Sequence, residues 1–175
     1  MRNPSGTRVF NMVLMGLMTC LVIVTTMFIK IPIPMTQGYV HLGDSMIFLA
    51  VLILGKKNGC VAAGIGSAMG DVLGGYAFWA PWTLVIKLIM AYILGVFVER
   101  FEKKGEIIGM VIAGIEMTAG YYVASSVMYG SWIVTLMDIP WNIGQFVVGM
   151  IIAWALTMAL TKTSAKKFFA YRFEK

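Results

Sequence analysis

Apart from its ends, the chain is a succession of apolar runs long enough to cross a bilayer, at 8–29, 39–55, 59–77, 82–98, 107–129 and 140–161. About 20 consecutive apolar residues span the hydrocarbon core as a helix. No water reaches the backbone there, so each run must satisfy its own N–H and C=O groups, as a helix does. Hydrophobic residues make up 59% of the sequence, and the mean hydropathy is +0.84. Both exceed what a soluble domain of this length carries. The expectation is an all-α integral membrane protein, a compact bundle of six transmembrane helices forming one domain over 1–175. The second run is short and is expected to be enclosed by its neighbours or extended by the preceding loop.

Basic residues near span ends are retained on the cytoplasmic side. Arg2 and Arg8, Lys56 and Lys57, then Arg100, Lys103 and Lys104 fall on one side of that topology, and so do Lys162, Lys166, Lys167, Arg172 and Lys175. Only Lys30 lies opposite and Lys87 within a run, so both termini are expected in the cytoplasm. The net charge of +6 therefore reflects topology and attraction to anionic lipid, with no nucleic-acid partner implied. The first run is too long for a signal peptide and lacks a small-x-small site before Ile31-Pro32-Ile33-Pro34, so it should stay attached. Cys20 and Cys60 read as small apolar residues.

Against this background His41, Asp44, Asp71 and Lys87 stand out. Ionisable groups in hydrocarbon are costly unless paired or turned toward a polar cavity, so they mark a site by default. Ala62, Gly66, Gly70 and Gly74 recur every four residues, a stripe that admits a neighbouring helix closely. Ser67 and Asp71, also four apart, share the adjacent face. Asp71 and Lys87 lie at similar depths from the outer ends of their helices. A contact between them is expected, either as a structural ion pair or as part of a site. Asn142 and Gln145 are three apart and face one way. Tyr76, Trp79 and Trp82 follow Asp71 closely and are placed to anchor in the interface or to sandwich a flat ligand. Glu116, near the middle of its run, is a candidate pocket floor or partner for Lys87. Together these groups describe one outward-facing pocket for a small molecule.

No G-x-x-x-x-G-K-[ST] phosphate cradle is present, and no H-E-x-x-H. A single histidine without a motif-level nucleophile partner supports neither a catalytic zinc site nor a hydrolase. No enzymatic activity, cofactor or metal is expected.

The run Gly38-Tyr39-Val40-His41-Leu42-Gly43-Asp44, the segment Ala63-Gly64-Ile65-Gly66-Ser67-Ala68-Met69-Gly70-Asp71, then Gly75-Tyr76-Ala77 and Ala80-Pro81-Trp82-Thr83-Leu84-Val85-Ile86-Lys87 carry a family resemblance. With the six spans, they resemble the substrate-binding S component of prokaryotic energy-coupling-factor (ECF) vitamin transporters, most closely those associated with hydroxymethylpyrimidine or pyridoxine. The resemblance implies capture of a vitamin or precursor from outside, through His41, Asp44, Asp71, Tyr76, Trp79, Lys87, Glu116, Asn142 and Gln145. It also implies partnership with a transmembrane coupling subunit and two cytoplasmic ATPases. Family members dock through small residues four apart on the first span, here Gly16 and Cys20, for which packing inside the bundle is the alternative. Two other classes stay open: a small membrane enzyme holding Mg²⁺ between Asp44 and Asp71, and a structural subunit whose polar cluster is helix glue.

Overall fold

The computed structural model describes residues 4–28, 30–33 and 38–171, with side chains from residue 8 onward. Arg2, Pro34, Arg172 and Lys175 lie outside the described residues. The elements are α1 (Pro4–Phe28), β1 (Lys30–Pro32), β2 (Tyr39–His41), α2 (Gly43–Leu73), α3 (Ala80–Tyr129) and α4 (Asp138–Thr161), with short 3-10 turns at Val134–Met137 and Ser164–Phe168.

The expectation of six transmembrane helices is corrected. Among the described residues four helices are long and apolar enough to cross a membrane: Arg8–Phe28, Gly43–Leu73, Ala80–Tyr129 and Val134–Thr161. No loop separates the expected second and third runs, or the fourth and fifth. Instead α2 and α3 are each bent at one non-helical residue, Gly55 (φ 78°, ψ 170°) and Glu102 (φ 50°, ψ −129°). The Gly55 conformation is open only to a residue without a Cβ. Glu102 is the one non-glycine residue with positive φ among the described residues. The bends are sharp: a Cβ on Gly59 would fall 2.7 Å from the Val51 Cα, and one on Gly105 would meet the Phe97 carbonyl. Residues eight apart in a straight helix are separated by about 12 Å, so both helices are folded back on themselves.

Two boundaries also shift. Residues 39–41 do not belong to a helix but pair antiparallel with β1, with Lys30 opposite His41 and Pro32 opposite Tyr39. The helix expected to run to residue 77 ends at Leu73, and Pro81 then opens α3 in its first turn, where its missing N–H costs nothing. Gly130, left-handed at φ 65°, ends α3.

The first limb of α2 is enclosed as expected, with Ile47, Phe48, Ala50, Val51 and Leu52 all fully buried. Met90, Leu94, Met110 and Met117 of α3 complete the core around it. By contrast α1 touches the bundle along one stripe, Met18, Val22 and Thr26, four residues apart. That stripe lies in the glycine groove of α2: a Cβ on Gly66 would come within 2.9 Å of Val22, and one on Gly70 within 2.8 Å of Thr26. At the end of the bundle away from the hairpin, the Ala170 N–H donates to the carbonyls of Leu52 (3.2 Å) and Ile53 (2.9 Å), which the bend at Gly55 strips of helical partners.

Candidate functional site

At the hairpin end, β2 and the N-termini of α2 and α4 meet the residues around the turn between α2 and α3. A cavity opens there, its empty volume about 390 Å³ including the mouth. Helical periodicity supplies its walls. Asp138, Asn142, Gln145 and Gly149 form the buried stripe of α4, while Met117, Tyr121 and Ser125 recur every four residues on α3. Gly149 lets α4 close onto α2, since a Cβ there would sit 2.9 Å from that of Asp44.

Asp71 is 2% exposed and lines the cavity. Tyr39 donates its hydroxyl to Asp71 Oδ1. Asp71 Oδ2 is buried with no donor in hydrogen-bonding geometry, and the Thr83 hydroxyl stands beside the carboxylate. Thr83 in turn accepts from Tyr121 at 3.2 Å. Burial and the adjacent Asp71 carboxylate hold the Tyr39 phenol far above its ordinary range. The Tyr39 ring lies 4.2 Å from that of Tyr76 and 5.5 Å from that of His41, centroid to centroid. Lys30 sits over the faces of Tyr39 and Tyr76 at 4.9 and 4.8 Å and donates to the Gly74 carbonyl at 2.8 Å. Trp79, 4% exposed, meets Tyr121 edge-on at 5.9 Å and forms the aromatic wall.

His41 also lines the cavity. Its Nδ1 accepts from the Gly43 N–H at 2.9 Å, which places the ring proton on Nε2. Removal from water lowers its pKa to about 3; Lys87 and Lys30 push the same way and Asp44 opposes them. The His41 N–H donates to Gln145 Oε1 at 2.8 Å, and Gln145 Nε2 donates to Asp44 Oδ2 at 2.9 Å. Asn142 Nδ2 donates to the Asp138 carbonyl at 3.0 Å, and Ser125 donates to Asp138 Oδ2 at 2.5 Å.

The expected contact between Asp71 and Lys87 is not formed. Lys87 pairs with Asp44 instead, and both side chains are 0% exposed. Its Nζ also approaches the Met117 sulfur at 2.8 Å and lies 5.3 Å from the Tyr121 ring centre. Depth along a helix could not separate these partners, because rotation about the helix axis decides which neighbour a side chain meets. Of the residues singled out from sequence, His41, Asp71, Trp79, Asn142 and Gln145 line the cavity. Asp44 and Lys87 lie behind that wall, and Tyr76 supports it through Tyr39. Glu116 does not line it: half-buried on α3, with Oε2 buried and unpartnered, it does not serve as the partner of Lys87. With Asp44 held by Lys87 and Asp71 by Tyr39, the two carboxylates that the alternative of a membrane enzyme would place on Mg²⁺ serve separate bonds. Among the described residues no three His, Cys, Asp or Glu side chains form a group that could hold a metal ion.

Tyr39, Thr83, Tyr121, Ser125 and Asp138 line the cavity but were not among the expected site residues. Asp138 carried a readable signal, since it continues the spacing of Asn142 and Gln145 one turn earlier. Gly16 and Cys20 face away from the bundle. Both are exposed, and a Cβ on Gly16 would meet nothing within 4 Å, so packing inside the bundle is excluded for them.

Residues 7–162 match the family model of the ECF-type riboflavin transporter, S component. A Pyrococcus woesei protein described as an uncharacterized protein in a gap 3′ region is 42% identical over 142 residues, 81% of this chain and 95% of that one. The thiamine precursor transporter HmpT of Lactococcus lactis subsp. cremoris is 24% identical over 164 residues, 93% and 95% of the two chains. Two solved structures share the fold. The S component of a bacterial ECF transporter superposes with a TM-score of 0.76 at 21% identity, covering 89% of this chain and 97% of its own. The S component for biotin from an ECF-type ABC transporter gives 0.76 at 17%, covering 95% and 99%.

Proposed function

Because this chain belongs to the family of ECF-type riboflavin transporter S components, we propose that it captures a small, flat heterocyclic vitamin or precursor, such as hydroxymethylpyrimidine or pyridoxine, from outside the cell. Proteins of this family are multi-pass membrane components that bind a substrate and are not enzymes. Release of the substrate to the inside is driven by a transmembrane coupling subunit and two ATPases that this chain does not contain.

The observation that carries the reading is the cavity beneath the β-hairpin. Its walls pair aromatic faces, Trp79 and Tyr121, with hydrogen-bonding side chains, Asp71, His41, Asn142 and Gln145, as recognition of a polar ring requires. The name of the Lactococcus relative, a thiamine precursor transporter, points the same way. For docking, the exposed small residues Gly16 and Cys20 on α1 offer a close-approach surface, framed by the exposed Met12, Val13 and Leu17.

The test is to purify the protein from its native membrane, extract the bound small molecule and identify it by mass spectrometry. Saturable quenching of tryptophan fluorescence by the recovered compound should follow, with Trp79 as the reporter. Recovery of a flavin would replace the single-ring assignment. Absence of saturable binding by any pyrimidine, pyridine or flavin vitamin would refute capture of a heterocycle.

A further inference from the structure

Resting on the capture of a small ring, we propose that this cavity selects uncharged or cationic, donor-rich ligands and rejects those carrying a carboxylate or phosphate. Two carboxylates, Asp71 and Asp138, line it, and among the described residues no lysine or arginine does.

Neither nearby lysine lines the cavity. Lys87 is fully buried against Asp44, so that pair brings no net charge to the wall. Lys30 is spread over the Tyr39 and Tyr76 rings and bound to the Gly74 carbonyl. His41 is held neutral by the Gly43 N–H at its Nδ1 and presents only a neutral N–H. An incoming anion would therefore meet the carboxylates of Asp71 and Asp138 at short range against the single charge of Lys30, which sits over the Tyr39 and Tyr76 rings and does not line the cavity, in surroundings where water screens poorly.

A ligand N–H or O–H finds the converse. Asp71 Oδ2 is buried and makes no hydrogen bond, with the Thr83 hydroxyl the one protein donor beside the carboxylate apart from Tyr39 among the described residues, and a charge-assisted hydrogen bond from a ligand would be among the stronger contacts available. An aminopyrimidine or a protonated pyridine meets both requirements.

Size-matched pairs separate charge from shape. Isothermal titration calorimetry on the full chain in detergent would compare a hydroxymethyl aminopyrimidine with the corresponding aminopyrimidine carboxylate, and pyridoxine with pyridoxate. In any pair whose alcohol binds, the carboxylate should bind at least about 100-fold more weakly, a difference of about 2.7 kcal/mol. Asp71→Asn should narrow that ratio to under about tenfold, and Asp138→Asn provides the same readout if the first variant does not purify as a monodisperse species. Carboxylates that bind as well as their alcohols, or ratios unchanged in both variants, would overturn the charge selection while leaving capture of a ring intact. Failure of all four compounds to bind would overturn the single-ring reading and the selection together.

Discussion

Replacing Lys87 with methionine leaves a carboxylate, Asp44, fully buried with Gln145 Nε2 as the donor still in place. Breaking a buried ion pair by removing one partner costs about 3–5 kcal/mol, because the remaining charge keeps its desolvation penalty and loses its compensation. Removing both charges is different. In Lys87→Met combined with Asp44→Asn, the carbonyl of the introduced amide can still accept from Gln145, and methionine joins the sulfurs of Met90 and Met117 that already surround Nζ. The double variant should recover all but about 1–2 kcal/mol. The assay is thermal unfolding of the four proteins in the same detergent. At about 2–4 °C per kcal/mol for a chain of this size, Lys87→Met should lower the midpoint by about 6–20 °C, and the double variant should regain most of the loss. Ligand affinity of the double variant should stay within about tenfold of wild type, since Lys87 lies outside the cavity lining. A single variant as stable as wild type, or a double variant no better than either single, would refute the pairing. A complete loss of binding in a stable double variant would show that these residues contact ligand directly.

Acid should weaken the fold through His41, whose pKa lies near 3 in place of its ordinary 6.5. A lowered folded-state pKa means that the stability it contributes is full above about pH 6.5 and is lost as pH falls toward 3. His41→Asn, able to accept from Gly43 without titrating, should flatten the acid limb of the unfolding midpoint measured between about pH 7 and pH 4; an unchanged limb would assign it to other groups. Tyr39→Phe removes a hydrogen bond to a charged acceptor and should cost about 1.5–3 kcal/mol of stability, and a midpoint within 2 °C of wild type, on the order of 1 kcal/mol, would contradict that. Gly70→Leu should displace α1 and lower stability by at least about 1–3 kcal/mol. Gly16→Leu, with open space around it, should leave stability and ligand affinity unchanged yet block uptake when the coupling subunits are present. Uptake that survives Gly16→Leu and Cys20→Leu would place docking on another face.

Composition and run length alone determined the solvent and the element type, because hydrocarbon leaves the backbone no partner but itself. The same reasoning identified the polar residues of interest, since a charge among apolar residues is expensive wherever the chain goes. Local spacing also read correctly where both partners lie on one helix: the glycine stripe of α2 does receive a neighbour, α1, at Gly66 and Gly70.

Continuity and partnership required the tertiary structure. Six apolar runs looked like six helices because lysines and glycines between them resemble loops, yet the breaks at Gly55 and Glu102 are single residues with helix on both sides. The β-hairpin was hidden because Tyr39–His41 continue an apolar run, and its strands exist only by pairing with Lys30–Pro32. Which carboxylate holds Lys87 was undecidable from depth, since Asp44 and Asp71 lie near the same end of the bundle. The choice follows from how α2 folds back at Gly55 and how Gly149 admits Asp44 against α4. Asp71 is thereby left to Tyr39 and the cavity, an assignment made by the packing of three helices and a hairpin that no single segment encodes.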